Sequence, residues 1–244
     1  MSTVPPRLFL DEALEEGREV AATPAQAHYL GGVLRRTAND PVLLFNGRDG
    51  EWRARIAGLK RDRATFVPER LTRPQTHGLD LRLLVAAVKR PAMEWIVEKA
   101  TELGIGLIQP VFTRRSVAER LNMARLEGIA REAAEQCERL TLPRMAEARP
   151  LHAALDAWDG APLLVGDERR ESPPLAAVLR DRALPIGWLI GPEGGFERAE
   201  LDDLRRRPFV ATAALGPRVL RAETAAVAGL AVVQALAGDW SGNA

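Results

Sequence analysis

The sequence predicts an α/β protein in which a small β-rich domain precedes a larger domain built on a mainly parallel sheet. Short apolar runs separated by turns fill the first part of the chain, and strands alternate with helices in the second. Between them, residues 73–78 (RPQTHG) combine Pro, Thr and Gly without an apolar period, which is typical of a linker. We therefore expect two domains, residues 1–74 and 75–244, a division that the length of the chain allows.

The pattern that predicts a β-rich first domain, short apolar runs broken by turn residues, extends from Val20 to Leu71. Asn46-Gly47 and Asp49-Gly50 are both hairpin signals. The chain as a whole carries a net charge of only +1, but residues 31–73 contain ten Arg or Lys and five acids. This local excess of +5 favours a nucleic-acid partner, although a solvated basic surface is the alternative.

The second domain opens with a continuous apolar run over residues 81–88, which suits a strand covered on both faces. Pro91 then stands at the favoured first-turn position of a helix. The apolar residues of this helix recur at helical spacing and are Met93, Ile96, Val97, Ala100 and Leu103. Gly104 is expected to end it.

The rest of the chain alternates strictly between strand and helix patterns, which predicts a mainly parallel sheet. The predicted elements are, in order, a strand over 105–112, an amphipathic helix over 123–141, a strand over 162–166, a helix over 174–182, a strand over 186–190, a helix near 197–206, a strand over 209–215 and a terminal helix from about 222 to 238.

Composition excludes several classes of protein. Cys137 is the only cysteine, so no disulfide can form within the chain, and we expect it to be buried and inert. The histidines His28, His77 and His152 are too far apart for a metal motif, so no metal is expected. Four acidic residues between positions 11 and 16 leave no room for a secretory segment, and no apolar run approaches the roughly 20 residues that span a bilayer. We expect a cytoplasmic protein without a membrane partner.

Two predicted loops stand where ligands bind in open α/β sheets, beyond the carboxyl ends of strands. The first is GPEGGF (191–196), whose glycines let the backbone approach a ligand closely, although a plain strand-to-helix turn is the alternative. The second is LGPRVLRAETA (215–225), in which Arg221, Glu223 and Thr224 stand at a helix start and can equally serve as caps. Both loops leave one sheet, so we expect them to converge.

Known nucleotide and hydrolase motifs are absent from the sequence. GPEGGF is not the dinucleotide pattern GxGxxG, and no GxxxxGK[ST] or GxSxG occurs. ATP hydrolysis, NAD binding and a serine hydrolase therefore lack their strongest signatures.

Five motifs together resemble the bacterial 16S rRNA uridine-N3 methyltransferase family, RsmE, of the SPOUT superfamily. They are HYLGGVLR (28–35), MEWIVEKATELGI (93–105), AEQCERLTLP (134–143), GPEGGF and LGPRVLRAETA, and the match is collinear from Arg7 to Gln234. The resemblance implies a PUA-like β-barrel followed by a SPOUT domain with a deep trefoil knot. It also implies a homodimer through the knotted domain, S-adenosyl-L-methionine (SAM) as donor, S-adenosyl-L-homocysteine as product, and 16S rRNA, within the small ribosomal subunit, as substrate.

The same resemblance implies the residues of the site. Those expected to bind the donor are Leu164, Val165, Gly166, Gly191, Pro192, Glu193, Gly194, Gly195, Leu215, Gly216, Val219, Leu220, Arg221 and Thr224. Arg221 is our candidate for steadying negative charge on a uracil oxygen and Glu223 for accepting the N3 proton, because both lie beside the glycine loop.

Eight further residues are expected to contact RNA, with a solvated charge as the alternative for each. They are Arg7, His28, Arg35, Arg36, Lys89, Arg114, Arg115 and Arg139. The chain departs from the family pattern at Glu197, where a hydroxyl residue usually caps the next helix.

Two other functions stay open at this point. One is a non-catalytic RNA-binding protein that uses its second domain only to dimerise. The other is a knotted methyltransferase that acts on transfer RNA or on a ribose 2′-hydroxyl.

Overall fold

The computed structural model describes residues 4–167, 171–180 and 182–242, and the chain divides into two compact units. Unit 1 comprises residues 1–77 and 134–142, and unit 2 comprises residues 78–133 and 143–244. Unit 1 therefore includes a segment from the middle of the chain. Position 181, inside the helix predicted over 174–182, lies outside the described residues.

Unit 1 is built on a five-stranded sheet with the order β1-β3-β4-β5-β2. Its strands are β1 (Arg7–Phe9), β2 (Val20–Ala21), β3 (Pro41–Phe45), β4 (Glu51–Leu59) and β5 (Ala64–Arg73). Only β1 and β3 pair in parallel, and register shifts along the β4–β5 pair bend the sheet. The predicted hairpin is confirmed, because β3 and β4 pair antiparallel and are joined at Gly47 and Gly50, which have positive φ angles of 78° and 80°.

A short helical segment crosses unit 1 between β2 and β3. It comprises α1 (Pro24–His28) and a π-helical turn (Tyr29–Val33). Thr23 caps α1 by accepting a hydrogen bond from the backbone N–H of Gln26, whose side chain accepts from the N–H of Thr23 in return. Leu30 is fully buried and anchors the turn in the core of unit 1.

The middle segment, residues 134–142, is held in unit 1 by Arg7. The Nε of Arg7 donates to Glu51 Oε2 at 2.6 Å, and its two Nη atoms donate to the carbonyls of Ala134 and Arg139, each at 2.7 Å. The guanidinium also lies 3.7 Å from the ring centroid of Phe45. Arg7 is thus a structural cation of unit 1.

Unit 2 contains a seven-stranded sheet in which every pairing is parallel, as predicted. The strand order is β12-β10-β11-β6-β7-β8, and β9 also pairs with β7. The strands are β6 (Leu81–Ala86), β7 (Leu107–Phe112), β8 (Arg144–Met145), β9 (Arg149–Pro150), β10 (Leu163–Gly166), β11 (Ile186–Ile190) and β12 (Val210–Ala213). The helices are α2 (Arg90–Glu102), α3 (Met123–Gln136), α4 (Leu151–Asp156), α5 (Leu175–Leu179), α6 (Arg198–Arg206) and α7 (Ala222–Ala237), followed by a 3-10 turn (Asp239–Ser241). The end of α3, from Ala134 onward, belongs to unit 1.

Both faces of this sheet are covered. Leu83 and Val85 of β6 point into a core shared with α2, α5 and α7, whereas Leu84 points into a second core shared with α4 and α6. The predicted two-sided burial of residues 81–88 is confirmed. Trp188 of β11 is fully buried and donates from Nε1 to the carbonyl of Ala225 at 3.2 Å, which fixes the start of α7 against the sheet.

The predicted start and end of α2 are confirmed. Pro91 lies in its first turn, and Gly104 follows its end with a φ of +78°, a conformation that favours glycine. Four residues of its predicted apolar stripe, at positions 93, 96, 97 and 100, are buried, and the fifth, Leu103, is half-buried against the same core.

The predicted extent of α3 is wrong. The pattern indicated a helix over 123–141, but the helix ends at Gln136 and Glu138 adopts a φ of +62°. Beyond it Leu140 packs against Phe9 and Phe45 in the core of unit 1, so its apolar character reflects that contact and not a longer helix. Cys137 is half-buried at the helix end, which corrects the expectation of full burial.

Within the described residues, no helix is long and apolar enough to cross a membrane.

Candidate functional site

A cleft in unit 2 opens at the carboxyl ends of β10, β11 and β12. It encloses about 680 Å³ when the part open to solvent is counted, a size suited to a small-molecule ligand. Three segments form its walls: residues 190–196, residues 215–225 and the end of β10. The two loops that the sequence predicted to converge do meet here.

The first wall is a tight turn after β11. The N–H of Gly195 donates to the carbonyl of Pro192 at 2.9 Å, and Gly195 has a φ of +68°. A Cβ on Gly191 would come within 2.9 Å of the ring of Phe196, which is itself buried. Both glycines are therefore required, one for the turn and one for the close approach of ring and backbone.

This turn continues into α6 through a capping box. The side chain of Glu197 accepts from the backbone of Glu200, and Glu200 Oε2 accepts from the N–H of Glu197 at 2.9 Å. The carboxylate thus takes over the cap that a hydroxyl residue usually supplies.

Two arginines that follow β7 form hydrogen bonds with the same turn and with the start of α6. Arg115 donates from Nη1 to the carbonyl of Gly194 at 2.9 Å, and its Nε lies 3.9 Å from Glu197. The backbone N–H of Arg114 donates to Glu200 at 2.9 Å. Both guanidinium groups remain largely exposed, so these bonds leave them accessible to a ligand.

The second wall runs from the end of β12 into α7. Gly216 has a φ of +96°, and a Cβ added there would meet no atom within 4 Å. Arg218 lines the cleft, whereas Arg221 is the N-terminal cap residue of α7 and is exposed outside the lining. Small side chains in the first turn of α7, Ala222 and Ala225, complete this wall.

The third wall is the end of β10. Gly166 lines the cleft, and a Cβ there would come within 2.8 Å of Ile190 Cδ1. Asp167 follows and also lines it, with Oδ2 accepting from the hydroxyl of Ser172 at 2.7 Å. Leu164 and Val165 are buried in the cores on the two faces of the sheet and do not line the cleft, so their expected contact with the donor stays a prediction.

Nine of the fourteen expected donor residues line this cleft: Gly166, Gly191, Pro192, Glu193, Gly195, Leu215, Gly216, Val219 and Leu220. Five do not: Leu164, Val165, Gly194, Arg221 and Thr224. The lining residues that the sequence analysis missed are Asp167, Ile190, Phe196, Arg218, Ala222 and Ala225. All but Asp167 lie in or next to the two loop motifs. Their position beside the predicted site residues is therefore the sequence signal that could have identified them. Glu223 is half-buried in the first turn of α7, outside the lining.

The residues expected to contact RNA occupy different environments in unit 1. Arg7 has a side chain only 6% exposed and donates three hydrogen bonds inside the unit, so its role is structural and the expected RNA contact is corrected. His28 and Arg36 line a second pocket, and Arg35 is exposed with a φ of +54°. Arg139 is half-buried and donates to Thr141.

In unit 2, Lys89 is exposed at the start of α2, close in sequence to the end of β6. No group of three or more metal-ligating side chains occurs among the residues described.

Family models match both units. Residues 22–69 match the model described as an RNA methyltransferase PUA domain, and residues 75–234 match the RNA methyltransferase domain. The chain belongs to this RNA methyltransferase family. The parallel sheet and the preceding PUA domain confirm the predicted fold class, and the trefoil knot stays a prediction.

Relatives of this RNA methyltransferase are similar over nearly the whole chain. The "Ribosomal RNA small subunit methyltransferase E" of Rickettsia conorii is 33% identical over 94% of this chain and 95% of its own length. The protein of the same name from Synechocystis sp. is 33% identical over 89% of this chain and 73% of its own.

Solved structures agree. The Ribosomal RNA small subunit methyltransferase E of Neisseria gonorrhoeae, bound to SAM, has a TM-score of 0.87 and 28% identity over 97% of this chain and 100% of its own. A Legionella pneumophila chain in complex with bound SAM has a TM-score of 0.86 and 27% identity over 96% of this chain and 98% of its own.

Proposed function

We propose that this chain transfers the methyl group of SAM to N3 of a specific uridine in 16S rRNA of the small ribosomal subunit, leaving S-adenosyl-L-homocysteine. The observation that carries the proposal is the meeting of two glycine loops in one cleft, in a chain whose relatives are named for small-subunit rRNA methylation. In this proposal residues 1–74 bind RNA, residues 75–244 carry out methyl transfer, and the enzyme works in the cytoplasm.

The lining of the cleft fits a sulfonium nucleoside. Loop backbone lines the cleft at Gly191 and Gly216, where main-chain N–H and C=O groups can bind a nucleoside without a large side chain between them. Leu215 and Ile190 supply apolar surface, and the carboxylates of Asp167 and Glu193 give the lining two acidic groups that favour a cationic ligand. SAM, when bound, supplies an electrophilic methyl group on sulfur.

The chain's own contribution to the reaction is mainly positioning, because methyl transfer from a sulfonium is an in-line displacement. The uracil N3 must also lose its proton, which places negative charge on the base. Sequence reasoning assigned the stabilising cation to Arg221, but Arg218 is the arginine that lines the cleft. We therefore assign charge stabilisation to Arg218 first, and keep Arg221 and Glu223 as candidates that substrate binding must bring into reach.

Dimerisation through the second domain is part of the proposal. The 16 residues of α7 carry one charge, Glu223, and its composition is apolar around the whole helix. Helices of this kind are normally buried on all sides. Leu236 near its end and Trp240 beyond it are nevertheless 48% and 56% exposed, which a partner subunit would cover. Light scattering on the purified chain tests this, and a monomer at micromolar concentration would contradict it.

The experiment that tests the function uses a deletion strain. Its 16S rRNA should lack one methyl group at a uridine N3, and expression of this chain should restore it. Restoration that survives Gly191→Val, which crowds Phe196, would contradict the role of the cleft. A missing methyl in transfer RNA or on a ribose 2′-hydroxyl would favour the rival methyltransferase, and a chain that does not bind SAM in calorimetry would favour the non-catalytic RNA-binding protein.

A further inference from the structure

One peptide group in the turn after β11 is held by an arginine that stands outside the lining of the cleft. The N–H of Gly195 donates to the carbonyl of Pro192 at 2.9 Å, and the carbonyl of Gly194 accepts from Nη1 of Arg115 at 2.9 Å. The Gly194 carbonyl and the Gly195 N–H belong to the same peptide group. This group is therefore fixed at both of its polar ends and cannot rotate without breaking a hydrogen bond.

The orientation of this peptide group decides the shape of the first wall of the cleft. Glu193 and Gly195, on either side of Gly194, line the cleft, whereas Gly194 does not. Phe196, the next residue, is buried and also part of the lining. Rotation of the peptide would change the backbone angles on both sides of it and move these lining groups. The bond from Arg115 thus fixes, from outside the cleft, the backbone that faces the ligand.

Arg115 is itself held in place by the loop that follows β7. The N–H of Ser116 donates to the carbonyl of Thr113 at 3.1 Å, and the N–H of Thr113 donates to Ser116 Oγ at 2.9 Å. Arg115 stands inside this closed turn. Its aliphatic stem also lies against Gly194, where an added Cβ would be 3.5 Å from both Cβ and Cδ of Arg115. Packing and hydrogen bonding therefore direct this side chain to the same carbonyl.

The neighbouring Arg114 contacts the same region in a different way. Its backbone N–H donates to Glu200, but its guanidinium only approaches Glu197, with Nε 3.8 Å from the carboxylate. The Nε of Arg115 is likewise 3.9 Å from Glu197, which is too long for a hydrogen bond. Ion pairs of this kind between exposed side chains contribute little. The bond to the Gly194 carbonyl is therefore what distinguishes Arg115 from Arg114.

We propose that Arg115 is a positioning residue for SAM. It holds the Gly194–Gly195 peptide in the conformation that lines the cleft, so that SAM binds to a turn that is already formed. Preorganisation of this kind raises affinity, because less conformational entropy is lost when the ligand binds. The inference rests on the proposed binding of SAM in the cleft. It is separate from the RNA contact expected of Arg115, since SAM binding can be measured without RNA.

The test is Arg115→Ala in the full chain. Titration calorimetry without RNA should give a Kd for SAM that is about tenfold higher than that of the wild type. This is the lower end of the effect of a hydrogen bond with a charged donor, as expected for a guanidinium that is half exposed. Hydrogen exchange of the free protein, followed by mass spectrometry, should be faster in the peptide that covers 191–196, because the turn has lost one of its two fixed points.

The matched control is Arg114→Ala. It removes the same charge from the adjacent position and keeps the backbone N–H that donates to Glu200, so the Kd for SAM should stay within twofold of the wild type. A second control, Glu197→Ser, keeps a side-chain oxygen to cap α6 and removes the carboxylate near both arginines. Its Kd should also stay within twofold, which separates the carbonyl bond from the ion pairs.

Added ethylguanidinium gives a readout that a general loss of structure would not produce. This cation replaces the atoms that Arg115→Ala removes, and the half-exposed site is open to solvent. At millimolar concentration it should lower the Kd of Arg115→Ala toward the wild-type value and slow the exchange of 191–196. It should leave the wild type and Arg114→Ala unchanged.

Three results would overturn the inference. A Kd for Arg115→Ala within twofold of the wild type would show that SAM binding does not depend on the bond. An equal rise in Arg114→Ala would show that only charge matters. A raised Kd that ethylguanidinium does not lower would assign the effect to a general loss of structure. A wild type that does not bind SAM would instead remove the proposed function, and the exchange of the free protein would still decide whether Arg115 holds the turn.

Discussion

Replacing Gly216 by Ala should weaken SAM binding through the backbone alone. Gly216 has a φ of +96°, and a Cβ there would meet no atom within 4 Å, so the substitution introduces no clash. An L-residue in such a conformation costs about 1–3 kcal/mol. In the free protein the exposed loop can relieve this strain by adopting another conformation. SAM binding must then restore the conformation that lines the cleft, which lowers the affinity.

The expected result is a Kd for SAM that rises about 5- to 150-fold, since each 1.4 kcal/mol corresponds to a factor of ten. Titration calorimetry measures it, and urea unfolding separates it from any loss of global stability. The matched control is Gly128→Ala in α3, where a Cβ also meets nothing but the backbone is helical. That variant should keep the wild-type Kd and gain up to about 1 kcal/mol of stability. A Kd for Gly216→Ala within twofold of the wild type would refute the reasoning.

Three further predictions concern charge. Arg218→Ala should lower kcat about 100-fold, with the Kd for SAM nearly unchanged, if this cleft-lining group stabilises charge on the base; a larger loss in Arg221→Ala by single-turnover kinetics would restore the original assignment. Arg7→Met should lower the free energy of unfolding in urea by about 3 kcal/mol, because the buried carboxylate of Glu51 loses its closest cation and keeps the hydrogen bond from the Thr72 hydroxyl at 2.9 Å and the longer contact to Arg73 at 3.6 Å; an unchanged midpoint and slope would show that the pair contributes nothing net. Hydrogen bonds from the N–H of Leu14 and from Asn46 hold the pKa of Asp49 below its usual 3.8, so the stability that this carboxylate contributes is present above about pH 4 and is lost as pH falls through its lowered pKa. Acid titration of the unfolding free energy should therefore show a smaller loss in Asp49→Asn, and an identical profile would contradict the shift.

Elements of unit 2 could be predicted from the sequence where the residues of a local apolar period are also those that pack in the core of the folded unit. The strand predicted over 186–190 is β11, Ile186–Ile190, because its whole run is buried between two layers of helices. The end of α3 could not be predicted in this way. Leu140 continues the apolar period of the helix but packs on Phe9 and Phe45, more than 90 positions earlier in the chain. An apolar period alone cannot show whether such a residue continues the helix or contacts residues distant in the sequence.

The site shows the same limit. The convergence of the loops at 191–196 and 215–225 followed from their positions after strands of one parallel sheet. Which side chains face the cleft did not follow, since Arg218 and Arg221 stand in one motif, yet Arg218 lines the cleft whereas Arg221 is the N-terminal cap residue of α7. The buried position of Arg7 could not be predicted either, because its carbonyl partners lie 127 and 132 positions away in the sequence.

The central claim is that SAM binds between these two loops, and hydrogen exchange tests it most directly. The purified chain would be compared with and without saturating SAM, and exchange would be followed by mass spectrometry. Slower exchange should be confined chiefly to peptides covering 191–196 and 215–221, with α3 unchanged. Binding that protects other segments and leaves both loops as they were, or no binding at all, would contradict the claim.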